Sequence, residues 1–127
     1  MIVEHLDNAS PGNRLIPEEK RSRIQVRRWE ALADGCTDAA IALVNEKRKP
    51  AEQQSPEWII RQQGKVDRSL QAMADDLAAK PWCAGDFFTL ADIAVGCCQH
   101  GAHWAIGGNG IGVRTDRQQL KTAVSLA

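Results

Sequence analysis

The chain has 127 residues, enough for one domain with a real core and too few to divide between two independent folding units. Its 16 basic and 16 acidic side chains cancel, which leaves no overall field to draw nucleic acid or an anionic membrane from a distance. No apolar run approaches the roughly 20 residues that span a bilayer, and Glu4 and Asp7 stand where a secretory signal carries basic and then apolar residues, so a cytoplasmic protein without membrane contact is expected.

In chain order, Ile2-Val3-Glu4-His5-Leu6 reads as an apolar stub, and the turn-formers Asp7-Asn8-Ala9-Ser10-Pro11-Gly12-Asn13 read as loop. Pro17 stands where a helix can start, with Glu18 and Glu19 in its first turn to complement the positive end of the helix dipole. From Ile24, the positions Trp29, Leu32, Cys36, Ala40 and Leu43 recur at spacings of three and four, which predicts one buried stripe on a long helix running to about Asn45. Glu46-Lys47-Arg48-Lys49-Pro50 is too polar to pack and reads as a linker or frayed end. Ser55-Pro56-Glu57 is a second helix start, with a serine hydroxyl for the cap and proline pre-set at the first helical position. The stripe Ile59, Gln63, Val66, Leu70, Met73 and Leu77 then carries that helix to Ala79, and Lys80-Pro81 stops it. Two such helices joined by a short polar loop lie antiparallel with their stripes together, so the fold class expected is an all-α helical bundle.

A third helix starts in Trp82-Cys83-Ala84-Gly85-Asp86-Phe87-Phe88-Thr89-Leu90-Ala91-Asp92-Ile93-Ala94. Thr89 can accept from the backbone N–H of Asp92 while Asp92 reaches back to the N–H of Thr89, a capping box, and Phe88 can pack on Ile93 as a hydrophobic staple. Past Cys98 the pattern changes to Gln99-His100-Gly101-Ala102-His103-Trp104 and a glycine-rich stretch, Gly107-Gly108-Asn109-Gly110-Ile111-Gly112. Without Gly-Lys-Ser/Thr or a preceding strand pattern, that stretch reads as loop and not as a phosphate cradle. Thr115-Asp116-Arg117-Gln118 can start a last short helix with Leu120, Ala123 and Val124 on one face.

The four cysteines, Cys36, Cys83, Cys97 and Cys98, contain no C-x-x-C pair and signal neither zinc nor a disulfide framework. Cys36 and Cys97 lie in apolar helical stretches and read as small hydrophobes. His100 and His103 are three apart, but no further His or acidic side chain stands near them in sequence to complete a metal set.

Gly85-Asp86-Phe87-Phe88-Thr89-Leu90-Ala91-Asp92 resembles the start of the central buried helix in the glutathione S-transferase C-terminal domain. Val3-Glu4-His5-Leu6-Asp7 resembles the last helix of that family's thioredoxin-like domain, and the Pro-Gly turn, Leu15-Ile16-Pro17 and Trp29-Glu30 follow in the family's order. The resemblance spans residues 2 to 98 and implies three parts: residues 1–13 as the end of a thioredoxin-like domain and linker, 14–98 as the helical domain, and 99–127 as a divergent tail. It implies that Trp29 and Leu32 line an electrophile pocket and that the first two helices of the domain make dimer contacts. The early Tyr, Ser or Cys, the cis-proline and the acidic-Ser pair with which the family holds and activates glutathione have no counterpart here, so no catalytic residue is carried over. Glutathione is then a co-substrate only if the missing domain is supplied. The abrupt change after Cys98 predicts a shifted reading frame or a truncated gene.

Two other classes compete with a transferase-like protein that does not conjugate alone. One is a non-catalytic helical interaction module. The other is nucleic-acid binding through Arg14, Lys20, Arg21, Arg23, Arg27 and Arg28, which Glu18, Glu19 and Glu30 interrupt. An apolar strip around Ile16, Ile24 and Trp29 is expected to face water and to make the chain marginally stable and self-associating, as a homo-oligomer or loose aggregate.

Overall fold

The structure, a computed structural model, describes residues 2–10, 12 and 14–105. The described residues form four α-helices and no strand: α1 (Ile2–Ala9), α2 (Lys20–Lys47), α3 (Pro56–Leu77) and α4 (Leu90–Ala105), with a 3-10 turn at Ala51–Gln53 before α3. The long helix α2 is the spine, and both α3 and α4 pack on it. Three contacts show that α2 and α3 run antiparallel. Arg28 pairs with Asp76 at 2.7 Å near one end, the Cys36 sulfur lies 4.0 Å from the Val66 carbonyl oxygen in the middle, and the Ser55 N–H donates to Glu46 at 2.8 Å beside the connection.

Val26, Trp29, Ala33, Cys36 and Ala40 of α2 meet Val66, Leu70, Met73 and Leu77 of α3 and Leu90, Ala91, Val95, Cys98 and Ala102 of α4 in one core. The predicted stripes thus point inward, with substitutions at their edges. Ile24 is 60% exposed while Val26 is buried, and Gln62 is buried in place of Gln63. Ile16 and Trp29 are also buried, so the expected water-facing strip reduces to Ile24. Cys97 is exposed, and its neighbour Cys98 is the core residue.

Helix ends depart from expectation for identifiable reasons. Asp7, Asn8 and Ala9 are helical and not loop, because the Asp7 carboxylate reaches forward instead of closing a local turn: it accepts the N–H groups of Leu15 at 2.7 Å and Ile16 at 3.1 Å. α2 begins at Lys20 and not at Pro17, because Glu19 is itself the cap, its carboxylate accepting from Arg21 at 2.8 Å and Ser22 at 2.7 Å. At its other end α2 continues to Lys47, and Glu46, expected to be solvated, is only 7% exposed. Its carboxylate holds Ser55 and Lys49, and the Gln54 amide donates to the carbonyls of Lys47 and Lys49, so the connection is a built loop and not a frayed end. α4 crosses the boundary expected at Cys98 and keeps Ala102 fully buried. The glycine-rich stretch and the helix expected from Thr115 lie outside the described residues, as does the His103 side chain.

α3 ends at Leu77, two residues early, because Ala78 adopts φ 45° and ψ −118°. A Cβ is disfavoured in that left-handed backbone, whereas glycine adopts it freely. Ala78→Gly should therefore raise stability by roughly 1 kcal/mol, about 4 °C in Tm for a chain of this size. Paired thermal melts check this, and an unchanged or lower Tm would show that the turn carries no strain.

Candidate functional site

The turn before α4 gathers the most buried polar chemistry in the bundle. Gly85 takes a positive φ of 73°, and the Trp82 and Phe88 rings meet edge to face with centroids 5.7 Å apart, closing the loop over the helix start. Beneath them, Asp92 is buried and accepts three hydrogen bonds: from the Thr89 N–H at 2.9 Å, the Thr89 hydroxyl at 3.1 Å and the Cys83 N–H at 2.9 Å. The back-reach of Asp92 to Thr89 is present, but the other half of the expected box is reversed. The Thr89 hydroxyl donates to Asp92, and the Asp92 N–H bonds the Thr89 backbone carbonyl at 3.1 Å. Of the expected staple residues, Phe88 meets Trp82 edge to face and Ile93 is 37% exposed. Burial, and then the neighbouring Asp92 carboxylate, push the Cys83 thiol well above the ordinary thiol range. A carboxylate with its lone pairs spent on backbone donors is a structural anchor, and an unreactive thiol beside it adds no nucleophile.

The start of α2 is tied to α1 by charge. Glu4 pairs with Arg23 at 2.5 Å and with Arg27 at 2.8 Å, and Arg27 also holds Glu30 at 2.7 Å. Arg14 pairs with Glu18, and Arg28 with Asp76. Four of the six cations that could have formed a nucleic-acid face are thus matched with carboxylates, which cancels the local field that such binding requires. The residues implied as pocket lining, Trp29 and Leu32, stand on the same stretch of α2, Trp29 between Arg28 and Glu30 and Leu32 two residues beyond. Trp29 is 4% exposed and belongs to the core, and Leu32 is half-buried and packs against it.

Sequence spacing did not reveal a groove of about 230 Å³ between the second half of α2 and α4, lined by Thr37, Ala40, Ile41 and Val44 and by Gly101 across from them. The fully buried Cys36 and Cys98 belong to the core that α2 and α4 share, and the influence of Cys98 together with burial pushes the Cys36 thiol above the usual thiol range. Among the described residues no three His, Cys, Asp or Glu side chains stand close enough to hold a metal ion, and no helix is long and apolar enough to cross a membrane.

Three carboxylates of the bundle respond to acid. Glu4 is held below its usual value by the Arg27 hydrogen bond and charge, Glu19 by the Ser22 and Arg21 backbone donors, and Glu46 by Lys49 and the Ser55 N–H. A depressed folded value means that the stabilisation is complete above the unfolded value of 4.5 and is lost as pH falls below it through the folded values. Urea midpoints measured from pH 7 to pH 3 should hold steady and then decline below about pH 5. Glu46→Gln should blunt the decline, and a midpoint that rises on acidification would contradict the assignment.

Comparison with known proteins places this geometry. Residues 34–99, just over half the chain, match the family described as glutathione S-transferase, C-terminal domain. The chain is 34% identical over 97 residues to the uncharacterized GST-like protein YibF of Escherichia coli K12, a match that covers 76% of this chain and 48% of that protein. The chain thus spans about half the length of the curated relative it matches. Among solved structures, a glutathione S-transferase from Methylobacillus flagellatus with glutathione bound superposes with a TM-score of 0.82 at 40% identity, covering 99% of this chain and 62% of that one. A glutathione S-transferase from Methylobacterium radiotolerans in complex with glutathione sulfonate gives a TM-score of 0.80 at 27% identity, covering 98% and 58%.

Proposed function

The chain belongs to the glutathione S-transferase family through its C-terminal domain, and on that premise we propose that it acts as the helical part of a transferase-like protein, supplying a wall of the electrophile pocket and dimer contacts, without conjugating glutathione by itself. The observation that carries this reading is the state of α1. Its Ile2, Val3 and Leu6 are exposed, while Asp7 and Glu4 tie it firmly to the rest of the bundle. A short helix anchored on one side and apolar on the other is suited to carry a second body, in keeping with its likeness to the last helix of a thioredoxin-like domain. The pocket wall would then come from the α2 surface around Leu32, with Trp29 behind it as support. A cytoplasmic location and a homodimer follow from the same reading.

Conjugation needs the glutathione thiol ionised near neutral pH, and a thiol with an ordinary value near ~8.5 supplies little thiolate without a positioned donor. The buried thiols and spent carboxylates described above offer no such donor to a bound tripeptide. The 127-residue chain should give no turnover of glutathione with a chloro-dinitrobenzene electrophile above the spontaneous rate, and no heat of glutathione binding by titration calorimetry. Heat-sensitive turnover above background would overturn the proposal. A sizing column tests the dimer separately.

A further inference from the structure

We propose that α1 is held to the bundle by a charge latch, which salt or acid opens so that the helix leaves as one unit while α2, α3 and α4 stay packed. Two features of the helix carry this. The first is how little of it is buried. Of its eight residues Asp7 alone is buried, and Ile2, Val3 and Leu6 are exposed. No apolar side chain of α1 enters the core that joins the other three helices. Burial of apolar surface, the main force that holds those helices together, is therefore withheld from this one.

The second feature is the polar hold that replaces it, which reaches two places. On α2, Glu4 takes Arg23 at 2.5 Å and Arg27 at 2.8 Å, and Arg27 in turn holds Glu30 at 2.7 Å. On the coil before α2, Asp7 accepts the N–H groups of Leu15 and Ile16, and the Asn8 side-chain oxygen accepts from Arg14, which also pairs with Glu18. His5, on the same helix, is exposed. The side chains of Glu4, Arg23 and Arg27 are all partly open to water, and ion pairs so placed are individually weak and screened by salt. Isolated helices shorter than about 12–15 residues are marginal in water. An eight-residue helix that loses its hold therefore also loses its fold.

Two levers act on the latch. Salt screens the Glu4 pairs directly, as the Debye length falls from about 30 Å at 0.01 M to about 3 Å at 1 M. Acid acts by protonating Glu4. The Arg27 hydrogen bond and charge, with Arg23 behind them, hold that carboxyl below 4.5, so its pairing is complete above this value and is lost as pH falls through the folded value. Arg23 and Arg27 keep their charge throughout. With Glu4 neutral they stand four residues apart on α2 as like charges, and Glu30 is left to balance Arg27.

The test is hydrogen exchange read by mass spectrometry on the full chain, comparing peptides from residues 2–16 with peptides from residues 62–77 of the core. At pH 7, raising sodium chloride from about 0.02 M to about 0.5 M should speed exchange in 2–16 at least fivefold and leave 62–77 unchanged. Glu4→Gln should show the faster exchange already in low salt, with no further response to salt. Its difference from the unsubstituted chain should close at about pH 3, after correction for the intrinsic rates. Glu46→Gln removes a carboxylate paired with Lys49 at the far end of α2 and should leave 2–16 as it was. Exchange in 2–16 that ignores both salt and Glu4→Gln overturns the proposal. So does exchange that rises only together with that of 62–77, which would make α1 part of one cooperative unit, or an equal response to Glu46→Gln. A difference that persists in acid overturns release by Glu4 protonation.

Discussion

Asp92→Ala should cost about 3–5 kcal/mol of folding stability, because it leaves the Thr89 and Cys83 N–H groups without their acceptor inside the bundle. Each buried donor left unsatisfied costs about 1–3 kcal/mol, against a total stability of about 5–15 kcal/mol for a domain. Asp92→Asn keeps one carbonyl acceptor and should lose less, about 1–2 kcal/mol. Thr89→Ala removes only a hydroxyl donor and leaves its backbone N–H bonded, so it should lose about 1 kcal/mol. Urea titrations of the three variants give the order directly. An Asp92→Ala protein with an unmoved midpoint and weakened affinity for a ligand would assign the carboxylate to binding instead.

Trp29→Ala should lose about 3–5 kcal/mol, the range for deleting a large buried aromatic side chain. At about 4 °C per kcal/mol, the melting temperature falls by more than 10 °C. Leu32→Ala, at a half-buried position, should lose roughly 1 kcal/mol. The comparison separates the roles that the family resemblance assigned together. If Trp29 lined a ligand pocket in this bundle, its loss would be tolerated in the melt and felt in electrophile affinity. Its burial predicts the reverse, and Leu32 is the better place to look for a ligand effect.

The regular parts of the bundle were legible in the sequence because they depend on neighbours three and four residues apart. Ser55-Pro56 announces α3, and Val66, Leu70, Met73 and Leu77 form its buried stripe with no tertiary knowledge required. The irregular parts were not, and they share one cause. Asp7, Glu46 and Asp92 each send a buried carboxylate across a loop to a backbone N–H eight or nine residues away, to Leu15, Ser55 and Cys83. Spacing rules treat an acidic residue near a helix end as solvated or as a local cap, so the Glu46 segment looked frayed and Asp7 looked like a turn. Even at Asp92, where the cap pattern was visible, the third donor and the direction of the Thr89 hydroxyl depend on how the loop folds back. The groove was illegible for a related reason, since its lining joins α2 to Gly101 of α4, residues that are far apart in sequence.

Leu15 occupies an unusual position in this arrangement. Its N–H is held by Asp7 of α1, and its carbonyl oxygen accepts the N–H of Leu90, the first residue of α4, at 3.0 Å. One residue of coil therefore acts as a rigid coupling between the first helix and the central one, with no covalent path shorter than the whole of α2 and α3 between them. A tilt of α1 by even an ångström must either be followed at the head of α4 or break a hydrogen bond in a buried place. Whatever leans on the apolar side of α1 is mechanically connected to the middle of the bundle.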